Sequence, residues 1–173
     1  MLDRLLEETG KDESSSIELA SGYFNPTDKI SKQLGGSKGK VQVLASSPTA
    51  NRFLGDGYIK TQIPKFYRFY ESQFMRKYPN VEVFEYVRPD WSFHAKGLWI
   101  SDNGNPFLSV IGSSNYSNRS MNRDTECQFY IFSECEGLNE KFREETDYLF
   151  HMTPQMTLEK IKEDKKMRLG PIR

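Results

Sequence analysis

The sequence predicts an α/β protein on a mixed sheet, and three observations carry that expectation. Apolar stretches of strand length recur along the chain, one of them, Val81–Val87, with period-two alternation. Between the early ones lie segments of helical spacing, which makes those connections crossovers. Between two later ones stands Asp102-Asn103-Gly104-Asn105, a tight-turn signal that makes the connection a hairpin.

In chain order, residues 1–16 read as a flexible lead-in, with the polar run Thr9–Ser16, and 17–173 as a single domain. Ile17–Phe24 is a strand running into a loop. Asn25-Pro26-Thr27 starts a short helix over about 26–34, stopped by Gly35-Gly36. Val41–Ala45 is a strand and Ser46–Gly57 a loop. From Ile63 to Tyr78 the spacing is helical, with Phe66, Tyr70, Phe74 and Tyr78 four apart and Phe69 beside them. Val81–Val87, Phe93–Ile100, Phe107–Ile111 and Thr125–Phe132 are strands, and Leu138–Phe150 and Leu158–Arg168 helices.

Composition narrows the function classes. The 173 residues hold 24 Lys plus Arg against 24 Asp plus Glu, and that neutral balance argues against a dedicated nucleic-acid binder. With 36% hydrophobic and 13% aromatic residues the chain can build a core, and disorder is excluded. No stretch approaches the roughly 18 apolar residues of a membrane span. The acidic start Met1–Glu8 has no import or secretory character. Two cysteines, Cys127 and Cys135, make neither a disulfide framework nor a zinc site. Only two histidines occur, His94 and His151.

The sharpest feature is Ser92-Phe93-His94-Ala95-Lys96-Gly97-Leu98-Trp99. On a strand His94 and Lys96 share one face, while Phe93, Ala95 and Trp99 take the other. After the turn the chain returns through Gly112-Ser113-Ser114-Asn115, so a hairpin brings Ser113 and Asn115 back towards His94, and Glu126 at the start of the next strand can reach them. An imidazole is a competent nucleophile or acid–base near neutrality, and a carboxylate such as Glu126 fixes its tautomer. Lys96 supplies a positive charge, and Ser113 and Asn115 supply hydrogen-bond donors for phosphate oxygens. The chemistry these residues suit is that of a phosphodiester or phosphoanhydride. No His, Cys or carboxylate cluster has metal-ligand spacing.

The HxK, GSxN and later Glu together resemble one half-site of the phospholipase D superfamily. The Asp that the pattern carries five residues after its Lys is Ser101 here, with Asp102 one further on. Leu19–Asn25, Ala45–Pro48 with Asn51–Gly55, Trp91–Trp99, Ile111–Tyr116, Arg119-Ser120 and Arg123–Glu126 are similar to the C-terminal half of the eukaryotic mitochondrial phosphatidylglycerophosphate synthases. The resemblance implies a phospholipase D-like α/β/α sandwich that is one half of a pseudo-two-fold enzyme. It implies transfer of a phosphatidyl group from CDP-diacylglycerol to glycerol 3-phosphate, releasing CMP, through a phosphatidyl-histidine. It implies metal-free, cofactor-free chemistry, with which the lack of metal-ligand spacing agrees. His94, Lys96 and Glu126 are then catalytic, His94 as the acid–base, with Lys96, Ser113 and Asn115 on phosphate. It also implies peripheral contact with the mitochondrial inner membrane.

The mechanism requires two imidazoles, and His151 has no motif around it. The second belongs to an N-terminal half or to a second copy of the chain, and the isolated monomer is expected to be inactive. Two other readings stand beside this one: a homodimeric single-motif phosphodiesterase or nuclease, and a non-catalytic short form acting as a binding module. His151 reads as a charge at a helix end. Cys127 and Cys135 read as one buried and one loop thiol. Arg119, Arg123 and Asp124 pair with one another as readily as with phosphate. The aromatic stripe over 66–78 reads as core, flanked by Lys65, Arg68, Arg76 and Lys77, and Lys160–Arg168 as a solvated helix.

Overall fold

The computed structural model describes residues 1–50, 58–151 and 153–164. One six-stranded sheet runs through it in the order β3-β2-β1-β4-β5-β6, formed by β1 (Ser15–Ser21), β2 (Lys40–Ser46), β3 (Val81–Tyr86), β4 (Lys96–Asp102), β5 (Asn105–Gly112) and β6 (Gln128–Phe132). The strands β1, β2 and β3 are parallel, and β4, β5 and β6 add on antiparallel, which is the mixed sheet the sequence implies. The crossovers hold α2 (Asp28–Gly35) and α3 (Tyr58–Lys77), and α1 (Leu2–Thr9) precedes β1. The short α4 (Asn118–Asn122) lies between β5 and β6, and α5 (Glu136–His151) and α6 (Leu158–Glu163) follow.

Alternation along the strands makes two cores. Ile17, Leu19, Val41, Val43, Val81, Val83, Leu98, Ile100, Leu108 and Val110 meet Leu2 and Leu6 of α1, Ile30 and Leu34 of α2 and Phe74 of α3. On the opposite face Ala20, Leu44 and Trp99 meet Phe142 and Phe150 of α5, and Phe93 joins them. Trp99 Nε1 satisfies its polar end by donating to Glu145 at 3.1 Å. The hairpin turns where expected, with Asn103 (φ 49) and Gly104 (φ 75) both left-handed as a two-residue connection requires.

Several expectations need correction. Residues 1–16 are not a flexible lead-in: α1 is a helix whose Leu2 and Leu6 are buried, because positions four apart put both on the face that closes over the sheet. The helix after β1 is capped by Thr27, whose Oγ1 accepts from Ile30 N at 3.2 Å, so it starts later than Pro26. The strand expected from Phe93 begins at Lys96, and the one expected from Thr125 begins at Gln128. Of the aromatic stripe only Phe74 is buried and Tyr78 packs beside it, while Phe66 and Tyr70 are exposed. Arg68 is buried rather than a flanking surface charge, with Nη2 2.6 Å from Glu85 Oε2. Both cysteines are exposed. Of the Ser46–Gly57 loop and the Leu158–Arg168 helix, residues 51–57 and 165–168 lie outside the described residues.

Among the described residues no helix is long and apolar enough to cross a membrane.

Candidate active site

The C-terminal ends of β1–β3, the start of β4 and the end of β5 share one rim of the sheet. Residues 87–95 return from β3 to β4 past the ends of β2 and β1. Phe93 pins that return: its ring stacks on Tyr86 at 4.7 Å and its N–H donates to Ala50 O at 3.1 Å. With Phe93 turned into the core, His94 faces outward and is exposed, although it precedes the strand. The expected partnership with Lys96 is present by a different route. Lys96 opens β4, and its Nζ lies 3.2 Å from both His94 ring nitrogens and donates to His94 O at 3.0 Å. Burial pushes the Lys96 ammonium below its ordinary pKa, and the Glu126 carboxylate opposes that shift.

The GSxN segment approaches from β5. Gly112 ↔ Gln128 is the last rung of the β5–β6 ladder, and a Cβ on Gly112 would stand 2.1 Å from Cys127 O, so only glycine permits that approach. Ser113 Oγ donates to the Glu126 carboxylate and accepts from Cys127 N at 3.0 Å. Glu126 therefore braces Ser113 and stands close enough to Lys96 to support its charge. Asn115 is tied through its backbone, accepting from Ser21 Oγ at 2.9 Å and donating to Ser120 Oγ at 3.2 Å. Its Oδ1 is buried without a hydrogen-bond partner, an acceptor that a bound donor or water would satisfy.

Three residues at the rim were not singled out as site residues in the sequence. Gly22 donates to Ala95 O at 3.0 Å, and a Cβ there would meet His94 Cα at 3.1 Å. Tyr23 sets its ring against the His94 ring at 5.3 Å, edge to face, and stacks on Tyr67 of α3 at 5.4 Å. Burial raises the Tyr67 phenol, Tyr23 adds to that, and Arg119 opposes it. Arg119 itself is held by Asp124, with Nε 2.9 and 3.0 Å from the two carboxylate oxygens. No local spacing signals Tyr67, since its contact with Tyr23 joins a strand end to the middle of a helix.

Other candidates fall away from the rim. Asp102 ends β4, six residues along the strand and so roughly 20 Å from Lys96, where it accepts from Ser14 Oγ at 2.6 Å. Ser101 is buried beside it. His151 is the exposed last residue of α5, next to Phe150, which packs on Phe84 of the β3 edge strand. Among the described residues no three His, Cys, Asp or Glu side chains are grouped to hold a metal ion.

A six-stranded mixed sheet with helices is the fold of the phospholipase D-like structures that this chain matches. The chain superposes on phosphatidylserine synthase of Haemophilus influenzae with a TM-score of 0.74 at 16% identity, covering 95% of this chain and 41% of that one. With Nuc, a phospholipase D family member of Salmonella typhimurium, the TM-score is 0.56 at 16% identity, covering 88% and 89%.

Residues 7–150 match the family described as cardiolipin synthase, PLD-like domain, and the chain belongs to that family. Its sequence is 34% identical over 160 residues to the mitochondrial CDP-diacylglycerol–glycerol-3-phosphate 3-phosphatidyltransferase of Bos taurus, covering 86% of this chain and 29% of that protein. The CDP-diacylglycerol–glycerol-3-phosphate 3-phosphatidyltransferase of Schizosaccharomyces pombe is 34% identical over 152 residues, covering 83% and 30%. The chain thus spans less than a third of the length of these relatives.

Proposed function

We propose that the chain supplies one catalytic half-site for phosphatidyl transfer from CDP-diacylglycerol to glycerol 3-phosphate, giving phosphatidylglycerophosphate and CMP. The observation that carries this reading is the His94–Lys96 pair, faced by the Glu126–Ser113 pair, in a chain similar over most of its length to named phosphatidyltransferases. A second imidazole, from another half-site or another copy, attacks the phosphorus that bears the diacylglycerol. The bond from that phosphorus to the CMP oxygen breaks and CMP leaves. The glycerol 3-phosphate hydroxyl then attacks the same phosphorus, His94 takes its proton, and the phosphorus–nitrogen bond breaks. Lys96 and the Asn115 side chain hold the phosphoryl oxygens as their charge is redistributed, and Ser113 joins them once bound substrate draws its single hydroxyl proton away from Glu126. Glu126 keeps Ser113 in place and balances the Lys96 charge. The reading includes peripheral contact with the mitochondrial inner membrane.

The test is CMP release from CDP-diacylglycerol and glycerol 3-phosphate, by the chain alone at a known oligomeric state and with a partner carrying a second motif. The isolated monomer is expected to be silent and the complete assembly active. His94→Ala is expected to abolish turnover without unfolding the protein. Turnover that survives His94→Ala would remove His94 from the chemistry. Activity of a dimer of this chain alone would mean that two copies of one motif build the site.

A further inference from the structure

We propose that the tip of the 87–95 connection is the membrane-docking element of this chain: it seats Trp91 and Val87 in the interface of a phospholipid bilayer and thereby sets the height of His94 above the lipid. The inference deepens the reading given above and rests on the donor being a membrane lipid.

Every residue from Val87 to Ser92 is exposed. Val87 is 49% and Trp91 55% accessible, an unusual position for an indole with the largest apolar area of any side chain. The Arg88 guanidinium lies 4.1 Å over the Trp91 ring and donates to Tyr148 Oη at 3.1 Å. Tyr148 is 65% accessible, so an indole, a phenol and a guanidinium stand together on the surface. These three groups combine an apolar body with a polar end, as the boundary between headgroups and acyl chains demands.

The tip is also tied by its own backbone. Trp91 N donates to Arg88 O at 3.2 Å, closing a tight turn in which proline fixes one position (Pro89) and Asp90 adopts a left-handed φ of 61. At its base the Tyr86–Phe93 stack holds the two ends of the connection together. A surface already ordered loses little conformational freedom when it docks.

Position along the chain supplies the functional link. His94 follows Trp91 by three residues, a reach of at most roughly 11 Å. Interfacial side chains settle roughly 5–10 Å into the boundary region. With Trp91 at that depth, His94 stands at the level of the lipid phosphates, where the scissile bond of a diacylglycerol-linked donor lies. The Phe93 anchor transmits the docking height to His94, since its ring is fixed in the core one residue away.

The experiment uses the whole chain with vesicles of phosphatidylcholine and phosphatidylglycerol, some carrying brominated acyl chains. The protein has two tryptophans, and Trp99 is buried, so quenching by bromolipid reports on Trp91. Wild type is expected to sediment with the vesicles and to be quenched. Trp91→Ala, with an unchanged thermal melt, is expected to bind about tenfold more weakly, from the loss of a partly buried aromatic group. Val87→Asp, which drives a charge into the same interface, is expected to do likewise. Unquenched tryptophan in bound wild type, or binding by both variants as tight as that of wild type, would overturn the proposal. Lipid-free self-association weakened by Trp91→Ala, without quenching, would also overturn it and make the tip a protein contact. Vesicle docking through Trp91 in a protein that releases no CMP in any assembly would leave the tip standing and remove the donor assigned above.

Discussion

Replacing Arg68 with methionine tests how this fold tolerates charge in its interior. Arg68 and Glu85 are 7% and 3% exposed at the side chain and meet at 2.6 Å, and Glu71, 3% exposed, shares their site. Burial raises the Glu71 carboxyl well above its ordinary value of 4.5, the neighbouring Glu85 charge adds to that, and the Arg68 guanidinium opposes it. Glu85 is raised as well, chiefly by burial, against the pull of Arg68. Arg68→Met keeps the side-chain length and removes the only cation bonded to these carboxyls among the described residues. Stripping one partner from a buried pair costs about 3–5 kcal/mol. For a chain of this size that is a fall in Tm of roughly 6–20 °C.

The pH dependence gives the sharper signature. Carboxyl groups with raised folded-state pKa values keep more protons in the folded than in the unfolded chain, from about 4.5 upward. Stability therefore falls as pH rises through that window. Without Arg68 both values rise further and the window widens, so the variant loses more at pH 7 than at pH 5. Urea unfolding at both pH values, followed by circular dichroism, measures the difference. A loss below about 1 kcal/mol, or the same loss at both pH values, would refute the reasoning. The double variant Arg68→Met, Glu85→Leu is expected to recover part of the loss, because Glu85 no longer leaves an unpaired buried carboxylate and the charge that repelled Glu71 is gone too.

Glu126→Gln retains an acceptor for Ser113 and removes the charge that supports Lys96. Transfer by the complete assembly is expected to fall roughly 10- to 100-fold, less than the ~10²–10⁴ of a direct acid–base group. The Lys96 ammonium should titrate lower, so the alkaline limb of the pH–rate profile moves to lower pH; an unmoved limb would separate Glu126 from Lys96. Leu6→Ala, at a fully buried position of α1, is expected to cost about 2–5 kcal/mol in denaturant unfolding. A loss of a few tenths would return residues 1–16 to the status of a lead-in.

Much of the fold was legible because its signals are local. Short apolar or alternating runs marked the strands, and the Asn103-Gly104 pair marked the hairpin, since left-handed φ at both positions is a property of those residues themselves. The wrong boundaries arose where local pattern and tertiary demand part. Phe93-His94-Ala95 alternates like a strand, yet Phe93 is held by Tyr86 and Ala50 from two other segments, and that grip keeps the chain off the ladder until Lys96. The helical start of the chain was missed because Leu2 and Leu6 make a short apolar stripe that acquires meaning only against the sheet.

For the site, sequence by itself determined the chemical inventory: one imidazole with an ammonium two residues away, hydroxyl and amide donors behind a glycine, and one carboxylate. Residue type and spacing suffice for that, because covalent chemistry and the reach of a short segment are encoded along the chain. Tertiary structure alone decided the partners. It set the Glu126 carboxylate on Ser113, and it brought Tyr23 to the His94 ring with Tyr67 of α3 stacked behind Tyr23. It also sealed Arg68, which reads in the sequence as a flank of the aromatic stripe, beside two buried carboxyls. Contacts between segments far apart in sequence depend on how the elements pack, and no single segment carries the information for them.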